Sequence, residues 1–176
     1  ASGEPVGSIM DSWVKQTGYP VIDVQTSRQG DTIKIAAKQR RFTYDHLLDP
    51  QQSDKSVWHV PFSLCVGRND HEVTQLMETR SALLRTGVPV EHTDEDWVKF
   101  NPGQTGFYRV NYPPQDLTKL SQAIRTLKLP PIDRLGIQSD AYALSKAGYL
   151  PVTEFLNLIE TYVNETNATV WSDIAS

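Results

Sequence analysis

Apolar and polar positions change period twice along these 176 residues. From about residue 20 to 112 they alternate with the period of 2 of a half-buried strand, whereas before and after that stretch they recur with the period of a helix. Strands are predicted over residues 20–25, 32–39, 41–44 and 57–66, separated by a tight connection at Arg28-Gln29-Gly30-Asp31 and a looser one over 48–55 around Pro50. In the run 57–66, Trp58, Val60, Phe62, Leu64 and Val66 alternate with Val57, His59, Pro61, Ser63 and Cys65, so Pro61 is expected at an edge or where no ladder bond is required.

The stretch 97–112 is the pivot. Residues 97–100 and 105–112 read as two strands joined through Asn101-Pro102-Gly103, which predicts a hairpin. Tyr108, Val110 and Tyr112 share one face of the second strand and suit a core, while Phe107, Arg109 and Asn111 share the other. Pro113-Pro114 ends the strand. Six or so short strands predict a small antiparallel immunoglobulin-like β-sandwich over 20–113, with Trp58, Phe62, Tyr108 and Tyr112 between its sheets.

Helical spacing frames this sandwich. Ahead of it, Ser8 as N-cap, Asp11 as an imperfect capping-box partner and Gly18 as C′ residue predict a short helix that carries Ile9, Met10, Trp13 and Val14 on one side. After it, Leu117, Leu120, Ile124 and Leu127 mark one amphipathic helix. Ile132, Leu135, Ala143, Leu144 and Ala147 mark a second, closed by Gly148, and Val152, Phe155, Leu156, Ile159, Tyr162 and Val163 a third, opened by Pro151. Short links predict antiparallel helical hairpins, the start of an α-solenoid-like domain, with Val163, Val170 and Trp171 left facing a missing neighbour. The fold class is therefore mixed, a β-sandwich followed by α-helices.

Composition narrows the function. A hydrophobic content of 39%, a net charge of −4 and scattered basic residues exclude a nucleic-acid partner, and Arg40-Arg41 reads as a solvated strand edge. No apolar run reaches membrane-spanning length and the first residues lack a signal-peptide layout, so no membrane is expected. Cys65 is the sole cysteine, which excludes an internal disulfide and favours a reducing, cytoplasmic compartment.

The chemistry of a metallopeptidase is missing. H-E-x-x-H, which places two imidazoles one helical turn apart with a Glu to activate water, does not occur. His46, His59, His71 and His92 have no ligand spacing. The polar segments Asn69-Asp70-His71-Glu72 and Glu91-His92-Thr93-Asp94-Glu95-Asp96 read as solvated loops, and the sequons at Asn164 and Asn167 as chance tripeptides. No catalytic, substrate-binding or metal-ligating residue is assigned, and no cofactor is expected in this chain.

Four segments nevertheless carry a resemblance. Met10-Asp11-Ser12-Trp13-Val14-Lys15-Gln16-Thr17-Gly18-Tyr19-Pro20-Val21 looks like the segment that closes the catalytic domain of zinc metalloaminopeptidases with an H-E-x-x-H domain. Gly106-Phe107-Tyr108-Arg109-Val110-Asn111-Tyr112 follows in the same order. So do Asp133-Arg134-Leu135 with Asp140-Ala141-Tyr142-Ala143-Leu144, and Val163-Asn164-Glu165 with Thr169-Val170-Trp171-Ser172-Asp173, which resemble the puromycin-sensitive branch. One departure is Val14, where relatives often place Thr. The resemblance implies that residues 1–19 are the tail of a catalytic domain, 20–113 a spacer sandwich, and 114–176 the first helices of a C-terminal helical domain. It also implies that the zinc ligands and the G-x-M-E-N motif of an enzyme that removes N-terminal residues from peptides lie upstream, so that this chain alone is inactive. A different reading of the same residues is a self-standing immunoglobulin-like binding module with a helical tail, secreted in view of its two sequons.

Overall fold

The computed structural model describes residues 5–45, 54–67, 72–86 and 97–176. Among the described residues, a short helix α1 (Val6–Val14) precedes seven strands: β1 (Pro20–Gln29), β2 (Thr32–Arg41), β3 (Val60–Val66), β4 (Val73–Met77), β5 (Ser81–Arg85), β6 (Val98–Phe100) and β7 (Arg109–Asn111). Four helices follow, α2 (Pro114–Arg125), α3 (Pro131–Lys146), α4 (Val152–Ile159) and α5 (Ala168–Ile174), with 3-10 turns at Pro102–Gln104 and Glu160–Asn164. The strands form two sheets, ordered β5-β2-β1-β7 and β4-β3-β6. A β-sandwich followed by helices is therefore the fold.

The expected face assignment holds. Trp58, Phe62, Tyr108 and Tyr112 are all buried, and the Phe62 ring stacks on Phe100 at 5.2 Å and meets Tyr108 at 5.9 Å. Phe107 lies outside, 69% exposed. Pro61 sits opposite Leu76 in β3, before the pairing of β3 with β6 begins at Leu64, so its missing N–H leaves no ladder bond unmade.

The hairpin expected over 97–112 does not form. β6 pairs antiparallel with β3 (Leu64↔Phe100, Val66↔Val98), whereas β7 runs parallel to β1 in the other sheet (Val21↔Arg109, Asp23↔Asn111). The pivot crosses between the sheets instead of folding back within one. Its tyrosines explain why: the Tyr108 hydroxyl accepts from the Ser63 N–H at 3.3 Å and that of Tyr112 from the Phe100 N–H at 2.9 Å. These side chains bridge the gap between sheets, so their own strand must lie in the sheet facing β3 and β6. The expected strand over 41–44 is also absent. β2 runs through Arg41, after which Phe42 turns inward, its N–H bound to the Tyr19 carbonyl. Strands β4 and β5 had no clear alternation to announce them.

Helix ends show which caps act. In α1 Pro5 takes the N-cap place, and Ser8 lies inside the first turn with its hydroxyl on the Pro5 carbonyl. The helix stops at Val14, so Gly18 (φ +83°) is not its C′ residue but the bend into β1. Polar side chains fasten α1 to the chain before β3: Trp13 Nε1 donates to His59 O (3.0 Å), Ser12 Oγ accepts from His59 N (2.9 Å), and Gln16 bonds both N–H and C=O of Val57. Gly148 does close α3, with the Tyr149 N–H returning to Leu144 O. Leu127, expected on the apolar face of α2, instead holds the equivalent left-handed position (φ +54°) and is exposed, while the Lys128 N–H returns to Ala123 O. In α4 the inward face is Phe155, Leu158 and Ile159, and Val152 and Leu156 point to solvent. Helix α5, not expected, is capped by the Asn167 side chain, which accepts from Thr169 N and Val170 N. Val170 is consequently buried, although Val163 and Trp171 are exposed.

Candidate functional site

The apolar stripe expected on α3 is buried along its C-terminal half, through Ala143, Leu144 and Ala147, but not at its start. Ile132 is exposed and Leu135 only half-buried, whereas Asp133, Arg134, Gly136, Gln138 and Asp140 are buried. Asp133 and Asp140, seven residues apart, share the face turned to the sandwich. Each carboxylate meets a cation from the sandwich, and this pair of contacts is the chemically distinctive feature of the molecule.

The first contact forms at the turn between β6 and β7. Lys99 is 1% exposed; its Nζ donates to the carbonyls of Phe100 and Asn101 (3.0 Å to the latter) and lies 3.4 Å from Asp133 Oδ1. Burial pushes the Lys99 ammonium pKa below its ordinary value, against the pull of the Asp133 and Asp140 charges. The same Asp133 oxygen accepts from Gly103 N at 2.8 Å, so one carboxylate in the first turn of α3 holds both the lysine and the turn. Asn101 (φ +51°), Gly103 (φ +66°) and Gln104 (φ +55°) all take left-handed backbone there. Buried Asn101 locks the turn through both polar atoms of its side chain, to Gly106 N and Gly106 O. Gln104 then lies flat on α3, where a Cβ at Gly136 would meet its Nε2 at 2.0 Å.

The second contact lies on β7. Asp140 Oδ1 accepts from Arg109 Nη1 and Oδ2 from Val110 N, each at 3.0 Å. Burial raises the Asp140 carboxyl to about 6, with the Val110 N–H and the Arg109 charge working to hold it down. Burial opposes the Arg109 charge too, but the Tyr19 hydroxyl and Asp140 outweigh it and its pKa rises. The guanidinium also stands over the rings of Phe42 (5.3 Å) and Tyr19 (5.7 Å). On the opposite side of α3, Arg134 grips Glu165 with two bonds of 2.6 and 2.7 Å, and Tyr162 donates to Arg134 O. The Arg134 bonds lead the causes that hold Glu165 below the usual carboxylate range.

Further ties run beside these. Thr26 Oγ donates to Asp116 at 2.7 Å, and the Arg40 guanidinium lies 4.4 Å over the Tyr149 ring while pairing with Asp23. Arg41 bonds Asp54, Thr17 and Ser56. Arg40-Arg41 is thus a pair of half-buried anchors, not a solvated edge.

Chemically the seam is committed to holding, because every charged group in it already has a counter-charge or hydrogen-bond partner. Among the described residues no three His, Cys, Asp or Glu come together as a metal site. His59 is half-buried with Nδ1 3.8 Å from Glu78. His46, His71, His92 and the segment 91–96 lie outside the described residues, as do Asn69 and Asp70. No helix among the described residues is long and apolar enough to cross a membrane. The sequence did carry a signal for the seam: two aspartates at i and i+7 flanking a glycine, on a helix whose apolar residues do not form a clean stripe.

Residues 97–176 match the family model described as the ERAP1-like C-terminal domain, a match that begins at β6 and so takes in Lys99, Arg109 and the aspartates that hold them. The whole chain is 33% identical to puromycin-sensitive aminopeptidase of Caenorhabditis elegans over 177 residues, 99% of this chain and 18% of that protein. It is 34% identical to aminopeptidase M1-B and 35% to aminopeptidase M1-A of Oryza sativa subsp. japonica, over 99% and 96% of this chain and 20% and 18% of those proteins. The resemblance to aminopeptidases is borne out, and the chain spans about a fifth of the length of the curated relatives it matches.

Proposed function

We propose that this chain is a non-catalytic segment of a zinc-dependent aminopeptidase, acting as the structural linker between a catalytic domain that precedes it and the helical domain that it begins. In this reading residues 1–19 close the catalytic domain, 20–113 are the spacer sandwich, and 114–176 are the first helices of the C-terminal domain. The observation that supports it best is the ionic seam. Buried pairs are costly to build unless geometry is good on both sides, and here they join α3 to β6 and β7 with directional bonds that a freely swinging tail would not need. Zinc belongs to the parent's upstream domain, where it would activate water for hydrolysis of the N-terminal peptide bond. The parent acts on peptides in the cytoplasm, and this segment meets substrate only through it.

The test is metal analysis and an aminoacyl-chromogen assay on this chain and on the full-length product of its coding sequence. The reading expects one zinc and hydrolysis in the full-length protein, with neither in this segment. An upstream coding sequence without H-E-x-x-H, or zinc retained at one per segment through dialysis against a mild chelator, would overturn it.

A further inference from the structure

The sheet edges next to the helices are closed by side chains: the Asp140 carboxylate accepts the Val110 N–H of β7, and the Tyr112 hydroxyl accepts the Phe100 N–H of β6. Strand β5, the opposite edge of the four-stranded sheet, is left differently. The Gln39 N–H binds Arg80 O and the Thr86 N–H binds Ile33 O, so the bonds of β2 to β5 go through Arg80, Ala82, Leu84 and Thr86. Antiparallel alternation therefore turns the peptide groups of Ser81, Leu83 and Arg85 away from β2, to the open side. Thr79 Oγ1 donates to Ser81 O, which leaves Leu83 and Arg85 to pair. No proline or charge stands at the middle of β5 to blunt the edge, and the Leu83 side chain is 69% exposed.

The outer face beside this edge has a definite shape and charge. Small Ala36 lies opposite Leu83 and leaves a hollow of about 550 Å³. Lys34 stands directly opposite Arg85, a like-charge pair that repels until a counter-charge is supplied, and Lys38 lines the far side of the hollow. Asp23, opposite Lys38, is bound by Arg40 and Asn111. Among the described residues Lys34, Lys38 and Arg85 have no carboxylate partner.

We propose that β5 is a strand-addition site for an extended acidic segment of a partner polypeptide. The added strand pairs with the peptide groups of Leu83 and Arg85, sets an apolar side chain against Leu83 in the hollow, and brings carboxylates to Lys34 and Arg85. Charge chooses the occupant. A second copy pairing β5 with β5 would lay the same basic face alongside and keep the Lys34–Arg85 repulsion, whereas an acidic strand removes it. The backbone ladder supplies affinity for any extended chain, and the alternate side chains supply selection. The edge and its cations belong to the sandwich alone, so the proposal stands apart from the linker reading.

The probe is a fluorescent, end-blocked heptapeptide that alternates threonine with glutamate, valine and glutamate. Its binding to this chain and to the full-length product of the coding sequence is followed by anisotropy, with hydrogen exchange read at the Leu83 amide. The proposal expects saturable binding that weakens as salt rises, slower exchange at Leu83 in the complex, and about tenfold weaker binding when lysine replaces both glutamates. Leu83→Pro deletes the outward N–H without touching a bond to β2, so affinity should fall about tenfold while the melting temperature is kept. Arg85→Glu should turn the preference toward the lysine peptide. Absent binding at millimolar peptide, equal affinity for the two peptides, or unchanged exchange at Leu83 in the saturated native protein overturns the proposal even where Leu83→Pro fails to fold. Binding to this chain but not to the full-length protein also overturns it, by showing that the parent covers the edge. So does a peptide-free dimer in which Leu83 is protected, which assigns the edge to a second copy.

Discussion

The space between the two sheets is fully buried and the seam between sandwich and helices largely so, yet they are filled by opposite means. Phe62, Phe100 and Trp58 fill the first by area alone, each 0% exposed. Lys99, Asp133, Arg109 and Asp140 fill the second with charges that tolerate burial only in one arrangement. Apolar burial is non-directional and accepts many partners. A buried ion pair accepts one, so the seam dictates how the helices sit on the sandwich, while the core dictates only that two sheets stack.

The largest effect should come from breaking the seam. Asp133→Ala strands the Lys99 ammonium and frees the Gly103 N–H, at a cost of about 3–5 kcal/mol in urea unfolding. Lys99→Met combined with Asp133→Leu should recover much of that loss, because the uncompensated charge goes with its partner. A double variant as unstable as the single would mean that Asp133 matters chiefly for the turn. Next comes the core. Tyr108→Ala should cost about 3 kcal/mol, and Tyr108→Phe only about 1 kcal/mol since most of its area stays buried. An unchanged unfolding midpoint in Tyr108→Ala would contradict the sandwich geometry.

Titration separates the two regions further, since the seam contains buried carboxyls and, among the described residues, the space between the sheets has none. With Asp140 raised from 3.8 to about 6, the folded form holds this proton more tightly than the unfolded one. Its contribution is complete below pH 3.8 and is lost as pH rises through 6, a span of about 3 kcal/mol at 1.4 kcal/mol per unit. Glu165, held below its ordinary value of 4.5, works the other way, its contribution present above 4.5 and lost on acidification. The difference in stability between the native chain and Asp140→Asn should therefore decline between about pH 4 and pH 6. A pH-independent difference would place the Asp140 pKa at its ordinary value. The smallest effect is steric. Gly136→Ala drives a methyl into the end of the Gln104 side chain, which can swing away, so about 1–2 kcal/mol is expected, largely relieved by Gln104→Ala.

Particular elements show how far the sequence could be read. Period-2 alternation told correctly which face of 105–112 is buried, because the side-chain alternation of a strand is local geometry and does not depend on its partner. It failed on the partner itself. Three residues of β6 and three of β7 can each add to any edge that offers matching depth, and the tyrosine hydroxyls that send them to different sheets act across the sandwich, that of Tyr108 on Ser63, 45 residues away, and that of Tyr112 on Phe100 of β6. The same division holds for α3. Its ends were legible in Pro131 and Gly148, and its aspartates stood in the family motif. That they point inward was not legible, since an aspartate reads as solvent-facing until its counter-charge arrives from another segment.

By itself, then, the sequence determined the division into a strand-rich stretch followed by helices, where α3 stops, which aromatic residues make the core, and that the chain resembles aminopeptidases while lacking their metal motif. Periodicity, turn chemistry and motif are properties of neighbouring residues, and neighbours are what a chain records directly. Tertiary structure alone decided that the pivot crosses between sheets and that Lys99 and Arg109 meet Asp133 and Asp140. A buried charge becomes tolerable only when its counter-charge arrives from a distant segment within about 3 Å, and that meeting exists only once the sandwich and the helices have packed.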